Sequence, residues 1–221
     1  MNAASLLHLL QLASPALPIG GYSYSQGLES ALEQGLVRDA ESARDWIARA
    51  LDEVVAYWDA PLTWRLLKAF AARDHGAVKD WGDCFLASRD TAELRAETVQ
   101  MGYSLARLLD ELGVADTATL GDDVTLPLAF ACAVDGLGIP HEEALLTMIF
   151  AWAENQVLVC VKSVPLGQVA GQRLLLSLRS DIEGAARTAC SLADEELSNW
   201  TPGLSLLSMQ HEVQHGRLYR S

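Results

Sequence analysis

The stretch ALLTMIFAWAENQVLVCV, residues 144–161, decides the fold. It is apolar over a length that could cross a bilayer. At its middle stand Glu154, Asn155 and Gln156, and polar groups at that depth make spanning costly. A helix apolar on all sides is instead the central rod of a helical bundle. Inside such a rod the three polar side chains need partners. They either bond to neighbouring helices or line a polar channel.

Outward from this rod almost every segment reads as helix. Residues 3–13 form a short apolar helix that Ser14-Pro15 stops, since the residue before proline leaves the α region. Helical spacing resumes over 23–35 and runs again from about Asp39 to Ala72, with Pro61 dividing it at a first-turn position. A helix follows at 77–87. Residues 90–112 form an amphipathic helix on Leu94, Met101, Leu105, Leu108 and Leu112. Asp90 caps it with Glu93 three residues on, and Arg95, Glu97 and Arg107 take its other faces. GVADTATLGDDV, residues 113–124, is a loop. Helices are expected at 126–136, 141–162 and 166–192, and Pro202-Gly203 breaks the chain before a last segment, 204–221. No run alternates as sheet strands do. The expected class is all-α: a single-domain bundle of roughly eight to ten helices over residues 1–200, with a flexible C-terminal tail over 201–221.

Composition narrows the function. The 221 residues carry a formal net charge of −13, which argues against a nucleic-acid binder. Cys84, Cys132, Cys160 and Cys190 lie far apart with no C-x-x-C, so they read as buried thiols in a reducing compartment. The apolar start SLLHLLQLA has no basic residue before Arg38, so it does not read as a secretion signal.

Three motifs suggest chemistry. HEVQH, His211–His215, matches the zinc pattern H-E-x-x-H, with Glu212 as general base of a metallopeptidase. Its place in the last eleven residues, where chains fray, is a poor one for a metal cleft. GYSYS, Gly21–Ser25, approaches the nucleophile elbow but lacks its last glycine and a preceding strand. Ser23 or Ser25 as a helix cap accounts for it better. PLGQVAGQR, residues 165–173, is not a phosphate loop, because no Lys-Ser/Thr follows Gly171. Gly167 and Gly171 share a helix face and favour close helix packing. The six tryptophans, Trp46, Trp58, Trp64, Trp81, Trp152 and Trp200, read as core.

Four separated segments together resemble the UreF family of urease accessory proteins. They are SPALPIGGYSYSQGLESAL (14–32), RAETVQMGYSLARLL (95–109), AWAENQVLVCVKSVPLGQVAGQRLLLSL (151–178) and MQHEVQHGRLYRS (209–221). Thr98 and Tyr219 stand where the family more often has Ser and Phe. His215 is not a fixed family position, which weakens the zinc reading further.

The resemblance implies a non-enzymatic, all-helical, homodimeric, cytoplasmic protein. Such a protein joins UreD (also called UreH) and the GTPase UreG, whose GTP hydrolysis it modulates, and the complex delivers nickel to apo-urease. No stable metal or cofactor is implied, since nickel is only in transit. Candidates for contact with UreD are Tyr22, Tyr24, Ser25, Gln26 and Glu29 in the first segment, and His211, Glu212, Arg217, Leu218, Tyr219 and Arg220 in the last. Candidates for UreG are Arg95, Lys162, Gln168, Gln172 and Arg173. Glu154, Asn155 and Gln156 are candidates for the lining of an internal nickel tunnel. The tail is expected to be loose alone and to order on UreD. A helical interaction module of unrelated role is the remaining alternative.

Overall fold

The computed structural model describes residues 2–164 and 166–221; Pro165, first residue of the PLGQVAGQR stretch, lies outside them. The helices, in chain order, are α1 (Ala3–Leu12), α2 (Leu28–Glu33), α3 (Ala40–Ala50), α4 (Ala60–Ala71), α5 (His75–Ala87), α6 (Ala92–Leu112), α7 (Leu126–Gly136), α8 (His141–Ser163), α9 (Gln168–Ser177), α10 (Arg179–Ser191) and α11 (Pro202–Glu212). No strand occurs among the described residues.

α8 is the central rod that the opening stretch requires. It has the length and composition of a membrane span, yet α1, α2, α3, α4, α9 and α10 pack around it. Ala144, Leu145, Ile149, Ala153, Val157 and Cys160 form its buried stripe. α7 is a second apolar rod: every residue from Pro127 to Val134 is buried between α4, α5 and α6.

Local chemistry sets the helix ends. Asn2 caps α1 through Ser5 N–H at 2.8 Å, and Asp39 and Ser42 form a reciprocal box at the start of α3. Thr91, not Asp90, caps α6 by accepting from Leu94 N–H at 3.2 Å. Asp90 is occupied elsewhere, accepting from the Ser205 hydroxyl of α11. The helix expected over 23–35 is shorter. Gln26 (φ 55°) and Gly27 (φ 82°) adopt left-handed backbone, which a right-handed helix excludes, so α2 starts at Leu28. The helix expected over 166–192 is two, α9 and α10, which meet at Leu178.

Pro61 lies in the first turn of α4 as expected, but the chain does not break there. Residues Leu51–Asp59 wind as a π-helix that joins α3 to α4. Proline has no N–H to offer the carbonyl four residues back. That carbonyl, on Tyr57, accepts instead from Ser198 N–H at 3.2 Å. The wider turns therefore lie beside an insertion of another chain segment.

The four cysteines are free thiols. Burial pushes Cys132 up to about 11 and Cys160 up to about 12, so both are unreactive at neutral pH. Trp200 departs from the core reading, being 82% exposed.

Gly102 sets how closely α6 meets the residues leading into α7. A Cβ there would lie 2.1 Å from the Val124 carbonyl oxygen and 2.4 Å from Thr125 C, both backbone atoms. Gly171 plays a similar part, its missing Cβ falling 2.5 Å from Val161 of α8, whereas Gly167 meets nothing within 4 Å. Gly102→Ala is expected to lower the unfolding free energy by about 2 kcal/mol or more, the scale of overpacking. Gly203→Ala, with open space around it, should lose nothing. Urea denaturation of the two variants checks the contrast.

Candidate functional site

The turn before α2, the first half of α6, the middle of α8 and residues 213–221 meet at one polar junction. Its unusual backbone comes from the turn. Gly20 is left-handed, and so is Gln26, where a side chain carries a strain cost. The conformation lets successive N–H groups point one way: Ser25 N–H and Gln26 N–H both donate to the Ser221 carbonyl oxygen, at 2.8 and 3.2 Å. The Ser25 hydroxyl donates to the same oxygen and accepts from Glu29 N–H at 3.2 Å, which caps α2. Arg220 N–H returns a bond to the Ser23 carbonyl at 2.8 Å.

Side chains extend the junction to α6 and α8. Gln26 donates through Nε2 to Glu97 Oε1 at 2.6 Å and accepts from Trp152 Nε1 at 2.6 Å. The Ser221 hydroxyl donates to the other oxygen of Glu97 at 2.6 Å. The Tyr24 hydroxyl donates to Gln100 Oε1 at 2.7 Å, and Asn155 Nδ2 donates to the Tyr24 carbonyl at 2.9 Å. Burial raises Glu97 to about 7, against the opposing pull of its bonds from Ser221 and Gln26.

A second group of charges adjoins the first. Glu29 accepts from Leu218 N–H at 2.7 Å and Tyr219 N–H at 3.0 Å. His211 is fully buried, with Nε2 3.0 Å from Glu29 Oε2 and Nδ1 2.6 Å from Glu93 Oε2. Arg217 closes the group by donating to the other oxygen of Glu93. Two carboxylates facing one imidazole are both satisfied when the ring carries two N–H groups. The group ties α2, α6 and α11 to residues 213–221.

This geometry overturns the zinc reading. α11 ends at Glu212, so His215 is not on the same helix as His211. Both His211 nitrogens are taken by carboxylates, and Glu212 turns away to accept from Ala92 N–H at 2.8 Å at the start of α6. Among the described residues no group of three or more metal-ligating side chains is arranged to hold an ion.

The candidate UreD residues divide by burial. Tyr24, Ser25, Glu29, His211 and Tyr219 face inward and hold the junction together, while Tyr22, Glu212, Arg217, Leu218 and Arg220 are exposed. Gln26 is half-buried. The tail expected to be loose is seated here, with Tyr219 and Ser221 buried. Of the candidate UreG residues, Lys162, Gln168, Gln172 and Arg173 lie exposed on the end of α8 and on α9. Arg95 stands apart on α6, 3.5 Å from Asp123. Lys162 also lies over the rings of Tyr22 and Tyr219, at 5.7 and 5.9 Å, which links it to both ends of the junction.

A cavity of about 190 Å³ opens beside the junction, with Tyr22, Gln26, Glu97, Met101, Glu154 and Asn155 among its walls. Gln156 is not one of them: it is buried, and its Nε2 has no protein partner. Burial raises Glu154 as well.

Sequence reasoning missed Glu93 and Glu97, the latter assigned to an outer face of α6. The signal was present. Glu93, Glu97, Met101 and Leu105 are spaced four apart and share one stripe, and the last two mark it as the core stripe.

The UreF family model matches residues 37–179. The urease accessory protein UreF of Janthinobacterium sp. (strain Marseille) is 63% identical over 226 residues, covering 100% of both chains. That of Nitrosospira multiformis is 60% identical over 222 residues, covering 98% of each. The chain belongs to the UreF family. The UreF protein of Cupriavidus metallidurans, 49% identical, covers 98% of this chain with 97% of its own length. All four segments that carry the resemblance to UreF proteins contribute to the junction or border it.

His211→Ala should be the most damaging single change at the junction, leaving Glu29 and Glu93 buried without their shared partner. A loss of about 3–5 kcal/mol is expected, the scale for breaking a buried ionic group. Arg217→Ala, with 37% of its side chain exposed, should cost about 1 kcal/mol or less. Urea midpoints at constant pH compare them.

Proposed function

We propose that this chain is a non-enzymatic accessory protein of urease maturation, a scaffold that joins UreD/UreH to the GTPase UreG while nickel is delivered to apo-urease. The observation that carries this reading is the convergence of the four UreF-like segments on one junction. A catalyst places reactive groups against substrate. Here the polar groups are used in binding the chain to itself, and what remains outside is surface.

Two surfaces follow. The first is formed by Tyr22, Leu218, Arg217 and Arg220 around the turn and residues 213–221, and we assign it to UreD. Tyr22 and Leu218 are the large apolar side chains, 58% and 74% exposed, and a tyrosine gives wide contact at low rotamer cost. Tyr24, Ser25, Gln26, Glu29, His211 and Tyr219 act one step back, by holding that surface in shape. The second comprises Lys162, Gln168, Gln172 and Arg173, assigned to UreG with Arg95 at its far side. Lys162, lying over Tyr22 and Tyr219, is placed to couple the two surfaces. Nickel is cargo in this scheme. The cavity walled by Glu154 and Asn155 is the internal space available to it, and Gln156 contributes to packing instead. The working form is a homodimer in the cytoplasm, with GTP hydrolysis left to UreG.

Co-purification of the tagged chain with UreD and UreG tests the reading. Tyr22→Ala with Leu218→Ala should cut UreD retention at least tenfold without changing helical content. Lys162→Ala should reduce UreG retention while UreD stays. Undiminished retention of both partners by a folded variant lacking residues 1–22 would reject the docking role of the turn. Failure of the parent chain to retain either partner would reject the scaffold.

A further inference from the structure

Glu97 is an acidic side chain held almost wholly inside the protein with no cation in contact. Its oxygens take one bond from Gln26 Nε2 and one from the Ser221 hydroxyl, each at 2.6 Å, and both donors are neutral. It also faces the 190 Å³ cavity, whose walls are mostly apolar. Residues 219–221 lie over it: Tyr219 is 6% exposed and Ser221 not at all. Departure of these residues would expose the carboxylate to bulk water.

We infer that Glu97 makes the seating of residues 219–221 proton-dependent, neutral Glu97 holding the segment down and ionised Glu97 releasing it into solvent. The neutral carboxyl tolerates a dry site and still bonds to Ser221 and Gln26. The carboxylate loses its hydration there and regains it when the segment lifts. Lifting Tyr219 costs its N–H bond to Glu29, and further release toward Val213 is opposed by the Leu218 N–H bond to Glu29 and by Glu93, His211 and Arg217, so the opening is local.

The other charges around Glu97 do not supply the missing cation. Asp59, at the end of the π-helix, and Arg89, before α6, pair with each other at 2.8 Å, and their effects on Glu97 are opposite in sign. Glu154 on α8 is a further acid on the cavity wall. Tyr24 in the turn and Tyr219 in the covering segment carry no charge near neutrality, and both are raised by burial. Arg220 points its charge toward Tyr24. Glu93, one turn back on α6, is paired with Arg217 and hydrogen-bonded to His211.

The sign follows from where the proton sits. Seated, Glu97 titrates at about 7; uncovered, it returns toward 4.5. The segment is therefore most firmly seated below the lower value. Its opening constant rises as pH climbs between the two and levels off above the higher one. The separation allows a rise of roughly three hundredfold.

Nuclear magnetic resonance of the full chain labelled with ¹³C and ¹⁵N tests this. The {¹H}–¹⁵N NOE of Arg220 and Ser221 should be that of ordered backbone at pH 5 and fall at pH 8, with the Glu97 carboxyl ¹³C shift titrating in step. In Glu97→Gln, which stays neutral, the NOE should be equally high at both pH values. The same fall in Glu97→Gln would assign the change to another group and overturn the inference. It would also fail if the NOE of the parent chain did not change with pH, or if Glu97 finished titrating below pH 5. The last two readings need no variant, so they decide the matter even if Glu97→Gln does not fold.

Discussion

The structure depends on the fact that a carboxylate cannot be left dry and alone. Glu29 and Glu97 are both buried, and an uncompensated charge in a protein interior costs several kcal/mol. Each is satisfied by groups far away in the chain. Glu29, near the start, is met by His211 and by the N–H groups of Leu218 and Tyr219. Glu97, in the middle, is met by Gln26 and Ser221. The apolar rods α7 and α8 collapse without regard to direction, since burial of hydrocarbon specifies contact and not register. The buried acids select the arrangement in which the two ends of the chain lie side by side.

The turn between α1 and α2 is the clearest consequence. Its prolines, glycines and hydroxyls would be excessive for a connection between two helices. They are needed because the turn is a receptor for another part of the same chain. Left-handed backbone at Gln26 and Gly27 aims N–H groups at the Ser221 carbonyl, and the Gln26 side chain joins Trp152 to Glu97. A backbone strain at Gln26 is tolerated because three partners over-determine its position.

How much of this could be read from the sequence differs by level. The rods were legible because hydrophobic period and Pro/Gly breaks act locally: α6, α7 and α8 stand within a residue or two of where spacing places them. The split at Leu178 and the late start of α2 were not, since both depend on backbone angles that no side-chain pattern reports. The candidate residues at the junction were found only through resemblance to the UreF family. Tyr24, Ser25, Glu29, His211 and Tyr219 carry the right chemistry for recognition, but what they recognise in this structure is the chain itself. Spacing could have exposed Glu97, because it shares a stripe with Met101 and Leu105. A lone acid among apolar residues is easily assigned to a solvent face when its partner, Ser221, lies 124 positions away.

The proposed scaffold role, with exchange of partners, needs contacts that form and release without unfolding the whole. The two acids divide that task. Glu29 belongs to a hydrogen-bonded group with His211 at its centre, and such a group resists opening because its buried members would lose their partners. Glu97 is bonded only by neutral donors, so its hold weakens as it ionises. The outermost three residues can therefore lift while the ionic group keeps α11 on α2 and α6. Lys162 stands where that movement would be sensed, over the rings of Tyr22 and Tyr219. Tyr22 belongs to the surface assigned to UreD, and Tyr219 to the segment that moves. In the proposed scheme, lifting of Tyr219 takes away one of the two rings that hold Lys162, beside the surface assigned to UreG.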